Sequence, residues 1–288
     1  MRTRLVILAA LAALGLSACG SSDTSDSFTF EHLTTCGVEP PTRPAGGSYT
    51  CTFADDFNTS ALDKSKWMVA TTAPSGFTTG AHDCYLDSPR NVSVSGGDLH
   101  LTSRVEATPF VCHSPLGNFM TSNSAGSVLS MGKFAQTYGR FEFRAKFPSA
   151  AGIDSALWMY PQNPAYGAWP SSGEIDVAEW FGNTHTNHVF PSVHYAGENK
   201  AFSTGYNCVV STPDSAFHTY AVDWTSTVMS FYYDNKLCYQ HSWTPSAPLV
   251  APQPFDQAFD LVMTQTGGTS TVVGTSVTMD VDWVRAWK

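Results

Sequence analysis

The stretch SGEIDVAEW, Ser172 to Trp180, sets three acidic residues, Glu174, Asp176 and Glu179, among apolar neighbours. Side chains alternate along an extended strand, so Glu174 and Asp176, two apart, share one face. Glu179 lies five residues beyond Glu174 and on a regular strand would face the other way. A β-bulge within Val177–Ala178, where the small Ala178 offers little resistance, would return it to the side of the other two. Two carboxylates on one face of a cleft suit cleavage of a glycosidic bond. One, ionised, attacks the anomeric carbon, and the other, protonated, donates to the leaving oxygen. A third carboxylate between them can share a proton with the nucleophile and hold the partners' pKa values apart. Taken alone, E-x-D-x-x-E is a weak signal. Trp158, Tyr166, Trp169 and Trp180 surround it and offer faces for sugar rings, although tryptophans also fill cores. A core position is the expectation for Trp224, Trp283 and Trp287, which sit on clearly alternating strands.

The elements that must carry these residues are short strands. NVSVSGGDLHLTS reads as a hairpin, with Val92 and Val94 answered by Leu99 and Leu101 across Gly96–Gly97. GRFEFRAKF alternates Phe141, Phe143, Ala145 and Phe147 with Arg140, Glu142, Arg144 and Lys146. TVMSFYYDNKLCYQHS reads as two strands about Asp234–Asn235, and VTMDVDWVRAWK as a closing strand. No stretch reads as a long amphipathic helix, and no repeat is visible. Many short strands with closely spaced turns predict an all-β protein, a two-sheet β-jelly-roll sandwich.

The chain has 288 residues, 14% of them charged and 13% aromatic, a composition that suits a well-cored globular protein. Its formal charge is −9 and no basic stripe is present, which argues against nucleic acid as a partner. The start, MRTRLVILAALAALGLSAC, looks like a bacterial export signal, with Arg2 and Arg4 ahead of an apolar run too short to span a bilayer comfortably. Leu16-Ser17-Ala18-Cys19 resembles a lipobox, where lipoproteins are cleaved and acylated on the new terminal cysteine; the alternative is an ordinary secretory signal cleaved nearby. The expected organisation is a lipoprotein signal peptide (1–18), a lipidated Cys19 with a flexible tether (19–48), and a catalytic domain (49–288). Export to a membrane-anchored or cell-surface position follows, with a monomer expected. With Cys19 set aside, Cys36, Cys51, Cys84, Cys112, Cys208 and Cys238 form an even set that suits an oxidising compartment. Sequential pairing would close short loops and is the expected connectivity. None of the spacings resembles a zinc site.

At GEIDVAEW the chain resembles the family-16 glycoside hydrolases, in the bulged form typical of bacterial laminarinases, agarases and carrageenases. The likeness runs from Thr52 to Lys288 through DDFNTSALDKSKW, YGRFEFRAKFP, SALWMYP, GAWPSSGEIDVAEWFG, FHTYAVDWTSTVMSFYYDNK and MDVDWVRAWK. It implies a concanavalin-like jelly roll with a concave substrate cleft, and it assigns roles residue by residue. Glu174 matches the nucleophile, Glu179 the general acid/base and Asp176 the assisting carboxylate. Trp158 and Trp169 match cleft tryptophans, with Trp180 grouped beside them, and His194 matches a histidine beside the acid/base. Gln265 matches a cleft polar residue, or else is a strand amide capping neighbouring backbone. Arg144 is a candidate cleft residue or an exposed strand arginine. Asp282 sits where some relatives bind a structural calcium, and no cofactor is expected for catalysis. His185 and His188 fall in a loop near the cleft edge. Ala178, where laminarinases commonly carry methionine, and the cysteine-bearing additions depart from the family pattern and leave the polysaccharide open. The expected activity is retaining endo-β-glycosidase action, with β-1,3-glucan foremost as substrate. The alternatives are a β-galactan hydrolase, a transglycosylase, or a non-catalytic glycan-binding jelly roll.

Overall fold

The computed structural model describes residues 36–37, 42, 46–78, 82–182, 187–267 and 274–288. The export signal, Cys19, most of the tether and His185 lie outside the described residues. In chain order the elements are β1 (Cys51–Asp55), β2 (Met68–Val69), α1 (Thr72–Ser75), β3 (Cys84–Tyr85), β4 (Val92–Ser95), β5 (Asp98–Cys112), β6 (Phe119–Leu129) and β7 (Gly139–Lys146). They continue as β8 (Ala151–Pro161), β9 (Glu174–Gly182), β10 (Phe190–His194), β11 (His218–Trp224), β12 (Met229–Tyr233), β13 (Lys236–His241), β14 (Phe259–Gln265) and β15 (Ser276–Trp287).

The strands pair in the order β10-β9-β8-β14-β6-β5-β15-β7-β11-β12-β13, and the run folds over between β6 and β5 into two layers. One layer holds β10, β9, β8, β14 and β6; the other holds β5, β15, β7, β11, β12 and β13. Alternation explains the fold. Leu157, Met159, Ile175, Leu261 and Met263 from the first layer meet Phe141, Phe143, Val222, Phe231 and Val284 from the second in one buried core. Each such side chain contributes about 1.5–3 kcal/mol on burial. The layers are also bonded across the core, where the Tyr233 hydroxyl donates to the Val177 carbonyl at 2.9 Å. The fold is thus the expected two-sheet β-jelly roll. The β4–β5 hairpin pairs Val94 with Leu99 as the alternation predicts, and Asp234 and Asn235 turn β12 into β13 with positive φ of 47° and 61°.

The cysteines pair sequentially, Cys36–Cys51, Cys84–Cys112 and Cys208–Cys238, across separations of 15, 28 and 30 residues. Loops of this size give a chain-entropy stabilisation of about 3 kcal/mol each. One expectation about the core fails. Trp224 and Trp287 are buried, but Trp283 is only half-buried, with the Arg285 guanidinium 4.1 Å over its ring. Val281 pairs with Ala145 and Trp283 with Arg144, so β15 carries an extra residue at Asp282 that turns Trp283 to the outer face.

Candidate active site

Strand β9 is irregular at its centre. Leu157 pairs with Ala178 but Trp158 pairs with Asp176, and on the other edge Phe190 pairs with Glu179 and Ser192 with Asp176. One residue is therefore extra on β9, and Val177 and Ala178, although consecutive, both lie in the core. The shift puts Glu174, Asp176 and Glu179 on one face, away from the core. They are nonetheless only 4%, 0% and 4% exposed, so that face is recessed. Glycines hold both ends of the strand. A Cβ on Gly173 (φ +85°) would lie 2.7 Å from Phe255 Cε1, and one on Gly182 (φ +66°) 1.8 Å from the Ala150 carbonyl oxygen.

Around the carboxylates, Trp158 faces the same way, directly across from Asp176. Its indole N–H donates to Thr264 Oγ1 at 3.0 Å, and Phe77 stacks at 6.3 Å. The Trp169 indole N–H donates to Glu174 Oε2, and its ring lies 5.9 Å from the His194 ring. His194 Nε2 is 3.2 Å from Asp176 Oδ2 and Nδ1 is 2.9 Å from Glu198 Oε2. The Ser203 hydroxyl donates to that same Glu198 oxygen at 2.9 Å.

Burial disfavours charge on His194, but contacts with Asp176 and Glu198, and the charges of Asp176 and Glu174, outweigh it and raise its pKa to about 11. Burial, followed by the charges of Glu179 and Glu174, pushes Asp176 well above the usual carboxylate range. Asp176 is thus a ready acceptor for a proton, held beside a cationic imidazole. Burial, with the charge of Glu174, also raises the Tyr160 phenol to about 12. Donor atoms of Asp176, Glu179 and His194 lie within 4.8 Å of one another, as in a metal centre. Both nitrogens of this imidazole are already engaged by carboxylates, Nε2 by Asp176 and Nδ1 by Glu198.

Glu198 was not singled out in the sequence, because it sits in a loop with no strand period to betray it. Glu198→Gln is expected to lower the His194 pKa, since the imidazolium loses one of its two carboxylates. The titration of the imidazole, followed by NMR of its ring protons, should move to lower pH. An unmoved titration would show that Asp176 alone sets the charge on His194.

Three sequence assignments place residues elsewhere. Trp180 is 1% exposed in the core, stacked on Phe147 and donating to the Pro148 carbonyl; the same extra residue that exposes Glu179 turns it inward. Arg144 lies on the outer face of the second layer, paired with Asp282 and 5.0 Å from the Phe217 ring, across the sandwich from the carboxylates. Gln265 pairs across β14–β8 with Ser155, on the core-facing side shared with Met263 and Leu157. Its Oε1 accepts from Ser155 at 2.6 Å and its Nε2 donates to the Thr266 carbonyl at 2.7 Å, so it serves as the backbone-capping amide. Instead β14 sends Asp260 and, beside Trp158, Thr264 to the recessed face. Their signal was present in DLVMTQ, where Leu261 and Met263 mark the core side and leave Asp260, Val262 and Thr264 on the other. Asp282 is committed to Arg144, and the adjacent Asp280 to Lys146 at 2.8 Å and His100 at 2.7 Å. A calcium ion there would have to displace a guanidinium, and these residues do not suit it. His188 stacks on Phe190 at the edge of the face.

A two-layer β sandwich that recesses three carboxylates, an imidazole and two indoles on one face has the form of a carbohydrate-processing jelly roll. Residues 87–285 match the model for Glycosyl hydrolases family 16, and the chain belongs to that family. It is 32% identical over 273 residues to glucan endo-1,3-beta-glucosidase A1 of Niallia circulans, covering 87% of this chain and 39% of that protein. It is likewise 32% identical over 259 residues to the keratan-sulfate endo-1,4-beta-galactosidase of Sphingobacterium multivorum, covering 86% of this chain and 57% of that one. The laminarinase of Rhodothermus marinus superposes with a TM-score of 0.66 at 28% identity, over 83% of this chain and 97% of that structure. The chain therefore spans about four-tenths to six-tenths of the length of the first two relatives.

Proposed function

We propose that the protein is a retaining endo-β-glycosidase that hydrolyses a β-linked glucan, β-1,3-glucan foremost. The observation that carries the reading is the shared recessed face of Glu174, Asp176 and Glu179 on the register-shifted β9. Glu174, oriented by the Trp169 indole, attacks the anomeric carbon while Glu179 protonates the departing glycosidic oxygen. Glu179 then takes a proton from water, which attacks the glycosyl-enzyme ester and frees Glu174. Asp176, raised in pKa and steadied by His194, shares a proton with the nucleophile as its charge is lost and regained. Every step runs on protein carboxylates and water. The test is release of short oligosaccharide ladders from laminarin, set against mixed-linkage glucan, agarose and β-galactan, with Glu174→Gln as the inactive control.

A β-galactan substrate is the second reading, favoured by the equal identity to a keratan-sulfate galactosidase. A purely glycan-binding role would have no use for three intact carboxylates. Exported, lipid-anchored placement through Cys19 is part of the proposal and rests on the charged, apolar and small-residue order of the first residues. Cys19→Ala is expected to move the protein from the membrane fraction to the soluble one; a mutant that stays with the membrane rejects the lipobox.

A further inference from the structure

The recessed face does not end at β10. Thr204 bridges to Ser192, whose Cα partner on the other side is Asp176, and the two hydroxyls lie 3.1 Å apart. The Gly205 N–H donates to the Pro191 carbonyl at 2.8 Å. A Cβ on Gly205 would strike Pro191 Cγ at 2.7 Å and Tyr239 Cγ at 2.8 Å, so Gly205 faces inward. Thr204, across from Ser192, therefore faces the carboxylate side, and Tyr206 lies in the turn that follows, its N–H donating to the Thr204 carbonyl at 3.1 Å. The Tyr206 ring meets that of Phe190 at 6.2 Å, edge to face, and Phe190 is the residue opposite Glu179. Phe181, at 5.7 Å, and His188, at 6.2 Å, pack on Phe190 from other sides. Behind this rigid cluster Tyr206 remains 51% exposed, and Phe202 in the same segment is 70% exposed. The Cys208–Cys238 disulfide anchors the segment to β13. A half-exposed aromatic ring held by packing and a covalent staple has its conformational entropy already spent.

We propose that Tyr206, backed by Phe190, is an outer sugar-stacking subsite for pyranose units of the same glycan, on the Glu179 side of the cleavage point. It rests on the glycan reading above. Two strand spacings, about 9–10 Å, separate β9 from this segment, within reach of a short run of sugars crossing the strands. A pyranose presents axial C–H groups on one face, apolar and slightly positive, which match the negative face of an aromatic ring.

Binding, read by retardation in polysaccharide gels, tests this without requiring turnover. The parent is the Glu174→Gln protein, and the probes are laminarin, mixed-linkage glucan, agarose and keratan sulfate. Adding Tyr206→Ala is expected to weaken retention about five- to tenfold on the polysaccharide that retards the parent, with Tyr206→Phe retaining it. Tyr206→Leu, which keeps the bulk and loses the ring, should behave like Ala and guards against a collapsed segment. A thermal midpoint unchanged from the parent shows that the fold is intact. Retention equal to the parent in the Ala and Leu variants overturns the subsite, as does a Phe variant as weak as Ala, which would assign the hydroxyl instead. A parent retarded by none of the four overturns it too. Absence of wild-type turnover with ring-dependent retention would reject the hydrolase and keep the subsite.

Discussion

Glu174→Gln is expected to reduce turnover on the order of 10⁴-fold while leaving the fold and glycan retention nearly intact. The amide fills the same volume and still accepts from the Trp169 indole, but it cannot form a glycosyl ester. The discriminating comparison is with Glu179→Gln on two substrates. A polysaccharide needs its departing oxygen protonated, so both variants should fail on it. An aryl glycoside with a strongly acidic phenol leaves without a proton. With that substrate Glu179→Gln should still release a burst of phenol as the ester forms, and Glu174→Gln should release none. The reverse pattern would exchange the two roles. Proton NMR of the first product should show the β-anomer; the α-anomer would replace double displacement with inversion.

Asp260→Asn is expected to stabilise the protein at neutral pH and to have little effect at acid pH. Asp260 pairs across β14–β8 with Tyr160, is 0% exposed, and neither carboxylate oxygen finds a hydrogen-bond partner among the described residues. Burial pushes its pKa up to about 7. The native state thus keeps a proton that the unfolded chain releases near pH 4. Below about pH 4 both states are protonated and the residue imposes no ionisation penalty. Between about pH 4 and pH 7 the unfolded state gains from ionising, and stability falls. Above about pH 7 the penalty is constant, on the order of 4 kcal/mol. Asparagine removes this dependence. Urea denaturation midpoints at pH 4 and pH 8 should therefore converge in the variant and diverge in the wild type. Parallel pH dependence in the two proteins would mean that Asp260 ionises freely in the folded state.

Much of this site was legible before any coordinates. Three carboxylates at E-x-D-x-x-E spacing, with Trp158, Trp169 and His194 near them in one family pattern, were found in one recess. What the sequence misplaced follows from register. An alternation rule applied to VAEW and DVDW assigns faces correctly only if no residue is extra, and β9 and β15 each carry one. Trp180 and Trp283 exchanged sides for that reason, one into the core and the other out of it. Of the two positions open to Arg144, cleft or exposed strand face, the structure shows the second, where it meets Asp282 and Phe217 on the outside of the opposite layer. Glu198, Ser203 and Tyr206 come from a segment without periodicity, so their roles depend on where the chain returns beside β10.

By itself the sequence determined the class of fold, because a period of two recurring in short runs can bury its apolar side only in stacked sheets. It also singled out the three carboxylates that the structure gathers in one recess, because no other part of the chain sets three acids so close within an apolar strand. The tertiary structure alone decided which side each strand shows to the cleft, that Glu198 completes a chain through His194 to Asp176, and that Asp260 lies buried with no hydrogen-bond partner among the described residues. Those facts depend on pairing between residues more than a hundred positions apart. Local propensity contains nothing about such register, which is set where β8, β9, β10 and β14 meet.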